Sequence, residues 1–583
     1  MNLESSLTGR RWVLRDADDR VALGLAQRLG VPEMIGRLLA ARGIDPALAT
    51  HFLEPTLRAL LPDPSSLMQM DIAADRIAHA ARWGETVAVF GDYDVDGACS
   101  AAVMTILLRD LGCTVLTHVP DRMLEGYGPN APALLSLVGR GATLIVCVDC
   151  GTAAGQALAA VAGSAEVIVL DHHTTDGPPP PILATVNPNR LDCGSGLGDC
   201  CAAAIAFMTA IATVRALRRG GHFNGRAEPD LLGMLDLVAL ATVCDVMKLQ
   251  GLNRALVTQG LRVMAKRARP GIAALLEVAG AKDVPTAMTC GFALGPRINA
   301  AGRISNSSLG LRLLLTDDPV EARAIAAQLD STNRDRQEVE AGMMDEALAQ
   351  ADAQARAGRA AIVVAAERWH AGVVGIVAGR IKERLNRPVC VAAVADGVAK
   401  GSGRSVPGVD LGRAVMAARQ HGMLSAGGGH AMAAGFTLRA ERLAEFHDFL
   451  DERLAHAAAL PRAADLAVEG SISVGGATVE LARHLHRLSP FGNGNEEPAF
   501  VLKRAQVVRA ERIGHEGATI RAWLVGEGGG SRLKALLFRA GEGALAQALL
   551  AGGAPLHLAG HLRAEEWNGT VSASFFIADA AAA

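Results

Sequence analysis

The apolar positions of the chain fall into runs of two kinds. From residue 86 come short unbroken β-prone runs: "TVAVF" (86–90), "TVLTHV" (114–119), "TLIVCV" (143–148), "EVIVL" (166–170) and "ATVN" (184–187). Between most of them lie Ala/Leu-rich stretches long enough for helices. Continuous apolar strands alternating with helices predict a parallel sheet covered on both faces. Residues 1–70 show helical periodicity instead, in "ALGLAQRLG" and "EMIGRLLAARG". Residues 320–358 are rich in Ala, Glu, Gln and Arg, with no Pro or Gly between 321 and 341, which predicts one or two long helices acting as a linker. A second α/β pattern follows at about 360–458: a strand "AAIVVAA", a helix after "WHAGVVGIVAGRIKERL", a strand "PVCVAAVA" and a loop "GSGRSVPGVD". From about 466 to 583 Gly-bounded β-prone segments predict a small barrel. The expected organisation is an N-terminal segment 1–70 packing on the core, an α/β domain 71–318, a linker helix 319–358, a smaller α/β domain 359–460 and a barrel 466–583.

In open parallel sheets ligands bind beyond the carboxyl ends of the strands. The acids gather where those ends are expected. Run 86–90 leads into Asp92, Asp94 and Asp96; run 143–148 ends on Asp149; run 166–170 ends on Asp171, His172 and His173. The helical stretch 231–247 carries Asp245 near its end. Any one Asp would serve as a helix or turn cap, but acids on four separate segments point to a common role. Alternate residues of an extended stretch project the same way, and carboxylates so arranged repel unless cations offset them. Two-metal phosphoryl-transfer sites hold their ions roughly 4 Å apart. Carboxylate oxygens suit Mg²⁺ and Mn²⁺, and added imidazole tilts the choice toward Mn²⁺. Two divalent cations, Mn²⁺ or Mg²⁺, are therefore the expected cofactors.

Composition narrows the class. Half of the 583 residues are apolar, enough for several cores. A net charge of −3 excludes a uniformly basic binder but leaves room for a local basic groove. The ten cysteines are scattered, several in apolar runs, as reduced core thiols of a cytoplasmic protein would be. "CVDC" (147–150) has no second CxxC to complete a zinc site. The start of the chain lacks an apolar signal-peptide core. The longest apolar stretch, residues 200–214, is too short for a bilayer, so no membrane association is expected.

"DYDVDG", "VDCGT", "DHH" and "ATVCD", in that order, resemble the four motifs of the DHH phosphoesterase superfamily. "PDRMLEGYG" (120–128), "GPRINAAGR" (295–303), "WHAGVVGIVAGR" (369–380), "GSGRSVPGVDL" (401–411) and "GGGHAMAAGF" (427–436) narrow the resemblance to the RecJ family of single-strand-specific exonucleases. It runs from about residue 70 to the C-terminus. It implies an α/β fold: a parallel-sheet DHH domain and a smaller α/β DHH-associated domain joined by a long helix, with a C-terminal OB-fold β-barrel. It also implies 5′→3′ degradation of single-stranded DNA to 5′-mononucleotides, dependent on Mn²⁺ or Mg²⁺, in recombination and DNA repair. Carried over motif by motif, Asp94, Asp96, Asp149, His172 and Asp245 are expected metal ligands, with Asp149 in a bridging place. Asp92 is counted with them, although relatives with other substrates carry a His upstream, where Phe90 stands here. His173 and His430 are expected to meet the scissile phosphate, the amides around Gly428 and Gly429 to approach phosphate oxygens, and Arg122, Tyr127, Ser402 and Arg404 to hold the terminal 5′-phosphate. Arg297, Asn299 and Arg303 are placed on a Gly-bounded loop lining the DNA track. "GLNR" (251–254) departs from the usual Glu before Asn-Arg, with Leu252 standing before Asn253 and Arg254.

Residues 501–540 hold eight Lys/Arg against three Glu, with Trp523, Phe538 and Trp567 as stacking candidates, a mixture that OB folds use on single strands. Single-stranded DNA is thus the expected partner of a monomer, with room for a helicase and a single-strand-binding protein. The alternatives are a DHH-family oligonucleotide or cyclic-dinucleotide phosphodiesterase, or a non-catalytic replication scaffold. The intact acidic motifs weigh against the scaffold.

Overall fold

The structure, a computed structural model, describes residues 3–122, 124–175, 177–461 and 463–583; Met123 of the "PDRMLEGYG" motif lies outside them. Its contacts divide the chain into two compact units. One comprises Thr50–Asp335 with Ser489–Glu496; the other comprises Met1–Ala49, Arg336–Leu488 and Glu497–Ala583.

The first unit is built on five parallel strands: β1 (Thr86–Gly91), β2 (Thr114–His118), β3 (Leu144–Val148), β4 (Glu166–Leu170) and β5 (Ala184–Val186). Their order is β2-β1-β3-β4-β5, so the chain reverses direction across the sheet between β1 and β3. Ligand crevices form at such a switch point. β3 is buried along its whole length, which is why its sequence reads as an unbroken apolar run. On one face lie α1 (Val95–Asp110), α2 (Ala202–Arg219) and α3 (Leu235–Cys244), sharing a single core with the strands. These helices are apolar almost all round because each is enclosed by others, not laid on a surface.

"GPRINAAGR" is not a loop. It forms helix α4 (Gly295–Ile304), entered through a π-helical turn, Thr289–Leu294. Its glycines serve close packing: a Cβ on Gly295 would come within 2.4 Å of Cys244 Sγ, and one on Gly302 within 2.8 Å of the Tyr93 carbonyl oxygen. Pro296, with no N–H to donate to the preceding turn, stands just after the π-helical segment. One helix, α5 (Pro319–Arg356), fills the linker stretch.

In the second unit a five-stranded sheet contains β6 (Ile362–Glu367), β7 (Val389–Ala395), β8 (Val398–Arg404), β9 (Ala426–His430) and β10 (Ala433–Arg439), in the order β9-β10-β8-β7-β6. Helix α6 (Val374–Leu385) packs in the core on one face and α7 (Leu411–Gln420) in the core on the other. The start of "GSGRSVPGVD", expected as a loop, is strand here, since Gly401–Arg404 completes β8; the glycine run Gly427–Gly429 lies within β9. Glycine is used at Gly401 because the Phe436 ring lies against that backbone, 2.1 Å from where a Cβ would stand.

The C-terminal strands β11 (Phe500–Ile513), β12 (Thr519–Gly526), β13 (Gly529–Phe538), β14 (Leu556–Trp567) and β15 (Thr570–Ala582) run β11-β12-β13-β15-β14 and close through a β11–β14 pairing. This five-stranded closed barrel, with a helix at Ala544–Ala551 before its fourth strand, has OB-fold architecture.

The N-terminal stretch 1–70 does not behave as one segment. The short strand Trp12–Leu14 pairs in parallel with Leu466–Val468, and the fully buried Trp12 donates its indole N–H to Asp579 of β15 at 2.9 Å. Residues from Thr50 onward pack with the first unit. No helix among the described residues is long and apolar enough to cross a membrane.

Candidate active site

The site is assembled at the carboxyl edge of β1, β3 and β4. After β1 the chain turns into α1. Asp94 caps that helix, its Oδ1 accepting the Gly97 amide at 3.0 Å. Asp96, buried, accepts the amides of Ala202 at 2.7 Å and Ala203 at 2.8 Å, the first donors of α2. The start of one helix thereby fixes the acid on another. Asp149 follows β3 directly. Its amide still bonds the Leu170 carbonyl of β4 at 2.9 Å, while its own φ of 60° is left-handed. Asp245 is the C-cap residue of α3.

His172 Nε2 lies 3.3 Å from Asp149 Oδ1, 3.5 Å from Asp245 Oδ2 and 3.8 Å from Asp96 Oδ2. Three triplets have ligand atoms within 4.8 Å of one another: Asp92, Asp94 and Asp149; Asp96, His172 and Asp245; and Asp149, His172 and His173. Asp149 and His172 each belong to two of them. Among the described residues none of these triplets includes a cysteine; Cys147 and Cys150 of "CVDC" are buried in an apolar cluster.

The donor set fits divalent cations. Asp92 Oδ1, Asp149 Oδ1 and Asp245 Oδ2 are buried with no hydrogen-bond donor. Unpaired buried carboxylates are costly, and a bound cation offsets that cost. Burial, and next the charge of Asp94, pushes Asp92 up to about 8. Burial, then Asp96 and Asp94, pushes Asp245 up to about 8. Asp149 rises well above the ordinary carboxylate range, through burial and then its four acidic neighbours. Without cations this cluster holds protons at neutral pH. Burial, and then His173, holds His172 below the usual imidazole range against the pull of Asp96. A neutral His172 presents the Nε2 lone pair that a cation needs.

Asp171, the first residue of "DHH", behaves oppositely. It accepts the Nδ1 of His173 at 2.8 Å, the amide of His172 at 2.8 Å and that of Thr152 at 3.1 Å. Burial resists its ionisation, but His173 and Thr152 outweigh burial and hold it well below the ordinary range. His173 is raised to about 9: burial alone would lower it, and the Asp171 hydrogen bond and charge prevail. Asn189 donates to the His172 carbonyl at 2.6 Å and Asn187 to that of His173 at 2.9 Å, so both imidazoles hang from a braced backbone. Sequence reasoning placed Asp171 with the clustered acids and not as the partner of His173, and it gave Thr152, Asn187 and Asn189 no individual role. Asn187 ends the fifth apolar run, and the strand-edge rule that found the acids would also have reached it.

Tyr127 donates its hydroxyl to the Asp149 carbonyl at 3.3 Å and stands edge-on to His173, with centroids 5.8 Å apart. More than half of its surface remains open to solvent. Arg122 lies over the Tyr93 ring at 5.1 Å. Arg297 is already engaged, paired with Asp330 at 2.9 Å and with the Ala293 carbonyl at 2.6 Å. It shares α4 with Asn299 and Arg303. Asn253 and Arg254 of "GLNR" are buried and bonded: Asn253 to the Asp199 carbonyl at 2.6 Å, and Arg254 to the carbonyls of Phe52 at 2.7 Å and Ser489 at 2.6 Å.

Ser402, Arg404, Gly428, Gly429 and His430 belong to the second unit. Ala433 pairs with both His430 and Arg404, and Gly435 with both Gly428 and Ser402. Directly paired positions, and those two residues along, share a face, so His430, Arg404, Ser402 and Gly428 lie on one face. Gly429 belongs to the other.

The barrel's positive charge is smaller than its sequence window suggested. Arg504 pairs with Glu527, Arg509 and Arg521 with Glu511, Arg512 with Glu542, and Lys534 with Glu565. Two of these acids lie beyond residue 540. Phe538 and Trp567 are exposed, with Phe538 stacked on Phe576, whereas Trp523 is half-buried.

Three family matches cover most of the chain: the DHH family N-terminal domain at residues 86–242, the DHHA1 domain at 358–456 and the RecJ OB domain at 468–579. The single-stranded-DNA-specific exonuclease RecJ of Bacillus subtilis is 33% identical over 98% of this chain and 71% of its own length. The chain belongs to the RecJ family. RecJ of Escherichia coli is 39% identical, over 81% of this chain and 83% of its own. Among solved structures, RecJ of Thermus thermophilus in complex with Mn²⁺ aligns with a TM-score of 0.80 at 31% identity, covering 98% of this chain and 79% of that one. The same RecJ in complex with Mg²⁺ aligns with a TM-score of 0.75 at 29% identity, over 98% and 78%. The sheet edge that gathers the acids here thus belongs to a family whose solved members include complexes with both ions.

Proposed function

We propose that this protein is a metal-dependent exonuclease that degrades single-stranded DNA 5′→3′ to 5′-mononucleotides in recombination and DNA repair. The observation that carries the reading is the trio of buried, donorless carboxylate oxygens on Asp92, Asp149 and Asp245, gathered around His172 in a chain of the RecJ family. Asp92 and Asp94 would hold one cation, Asp96, His172 and Asp245 the other, with Asp149 shared. Mn²⁺ or Mg²⁺ bound there supplies the Lewis acidity that phosphodiester hydrolysis needs.

The chain's own residues orient the reaction. His173, fixed by Asp171, donates to a non-bridging oxygen of the scissile phosphate. Water forms the new P–O bond, the P–O3′ bond breaks, and a proton passes to the leaving 3′-oxygen, which leaves the phosphate on the 5′ side. Arg122, Ser402 and Arg404 bind the terminal 5′-phosphate, which sets polarity, and Tyr127 offers its ring to the terminal base. His430 and the backbone at Gly428 and Gly429 bind the scissile phosphate, while Arg297, Asn299 and Arg303 border the strand's path. The functional parts are the DHH domain 71–318, the linker helix 319–358, the DHH-associated domain 359–460 and a DNA-binding barrel 466–583. The protein acts as a cytoplasmic monomer with a helicase and a single-strand-binding protein.

Purified protein is incubated with 5′- and 3′-labelled single and double strands in Mn²⁺, Mg²⁺ or chelator. Mononucleotides should appear from single strands only, and only with metal. Asp149→Ala should abolish release while retaining DNA binding; full activity in that variant would overturn the assignment.

A further inference from the structure

The eight residues Ser489–Glu496 pack with the first unit although their chain neighbours on both sides belong to the second. They meet the turn that follows Asp245. Helix α3 ends there in a Schellman arrangement: the Val246 amide bonds the Val243 carbonyl at 3.1 Å, and the Met247 amide bonds the Thr242 carbonyl at 3.1 Å. The residue after the cap in such a motif is left-handed and is most often Gly. Here it is Val246, with φ 57°. A β-branched residue resists that conformation. Such strain persists only where the surroundings hold it.

The loop 489–496 provides that hold. Asn493 Nδ2 donates to the Val246 carbonyl at 2.6 Å. The Leu249 amide donates to the Asn493 carbonyl at 2.8 Å, and Gln250 Nε2 donates to the Gly494 carbonyl at 2.8 Å. Leu249 itself is buried among Val257 and Ala287. The base of the loop is tied as well, by Arg254 to the Ser489 carbonyl and by Asn495 to the Pro490 carbonyl at 2.7 Å. The strained residue and the residues that follow it are thus anchored to one short arm, and the residue immediately before it is Asp245.

We propose that the 489–496 arm is a positioning element for the metal site, and that Asn493 acts through the Val246 backbone to aim the Asp245 carboxylate. The inference rests on the reading of Asp245 as a metal ligand. Loss of the Asn493 side chain lets the turn relax from the left-handed conformation, and Asp245 then spends less time directed at its cation.

The test is direct Mn²⁺ binding to the full-length, metal-stripped protein, read from the loss of the free-ion EPR signal. Asp245→Asn should weaken binding at one site strongly. Asn493→Ala should weaken it roughly three- to tenfold, the weight of one net hydrogen bond, and cleavage should recover when Mn²⁺ is raised by the same factor. Adding Val246→Asn to Asn493→Ala should restore affinity, because Asn tolerates the left-handed conformation without outside help. Wild-type affinity in Asn493→Ala with weakened binding in Asp245→Asn would overturn the positioning role and leave the metal reading standing. Weakened binding that Val246→Asn fails to restore would also overturn it. Wild-type affinity in Asp245→Asn would instead remove the metal reading on which it rests.

Discussion

Asp171 accepts the Nδ1 proton of His173 at 2.8 Å and takes no part in any of the three ligand triplets. It therefore orients and charges an imidazole without belonging to a candidate ligand set. Asp171→Asn should lower the cleavage rate about 10- to 100-fold, as loss of an outer-shell partner does. Mn²⁺ affinity should change little. Single-turnover rates with parallel Mn²⁺ titration check both halves.

The acid cluster makes stability depend on pH when metal is absent. Asp92 and Asp245 are each raised to about 8 in the folded protein from the ordinary 3.8. A raised acid contributes stability that is complete below its unfolded value and is lost as pH climbs, here from about 4 to about 8. Melting temperature of the metal-stripped protein should fall over that window. The stabilisation by added Mn²⁺ should grow over the same window, because fewer protons must be displaced. A stabilisation by Mn²⁺ that stayed flat from about pH 5 to about pH 7, both inside that window, would contradict this.

Gly97 has no room for a side chain: a Cβ would stand 2.4 Å from the Asp92 carbonyl oxygen and 2.7 Å from its Cα. Both are backbone atoms of the loop that carries Asp92 and Asp94. Gly97→Ala should displace that loop at a cost of about 1–3 kcal/mol, as overpacking does, and cut Mn²⁺ affinity more than tenfold. Calorimetry of the apo and Mn²⁺-loaded variant measures both.

On the barrel, charge compensation leaves the exposed aromatics as the better DNA contacts. Phe538→Ala and Trp567→Ala should each weaken long single-strand binding by about 1–3 kcal/mol, the usual weight of a stacked base. Dinucleotide cleavage should be unaffected. Fluorescence anisotropy across strand lengths reads the difference.

A strand bearing a 5′-hydroxyl should be cleaved more slowly than its 5′-phosphate twin, and Arg404→Ala should narrow the gap between them. Arginine binds phosphate through a two-pronged, charge-assisted contact that a hydroxyl cannot make. Equal rates on the two wild-type substrates would remove the end-binding role of Arg122, Ser402 and Arg404.

The strands at 86–91, 144–148 and 166–170 could be read directly because both faces of the sheet are covered, so each strand must be apolar throughout. The acids could be read with them, since a parallel sheet delivers the residues after each strand to one edge. "GPRINAAGR" and "GSGRSVPGVD" misled for a shared reason. Glycine usually marks a turn, but Gly295, Gly302 and Gly401 are there because another chain segment occupies the space of a Cβ. That is a fact of packing, invisible in a linear string.

By itself the sequence determined the alternation of elements, the sheet edge where chemistry collects and the residue types that suit divalent ions, because these follow from local periodicity and strand polarity. Only the tertiary structure decided that Asp171 serves His173, that Glu542 and Glu565 neutralise cations of the barrel, and that residues 489–496 grip the turn after Asp245. Those relationships join positions far apart along the chain or depend on the direction of a side chain. Hydrogen bonds and ion pairs act over a few ångströms of space, and separation in sequence does not report that distance.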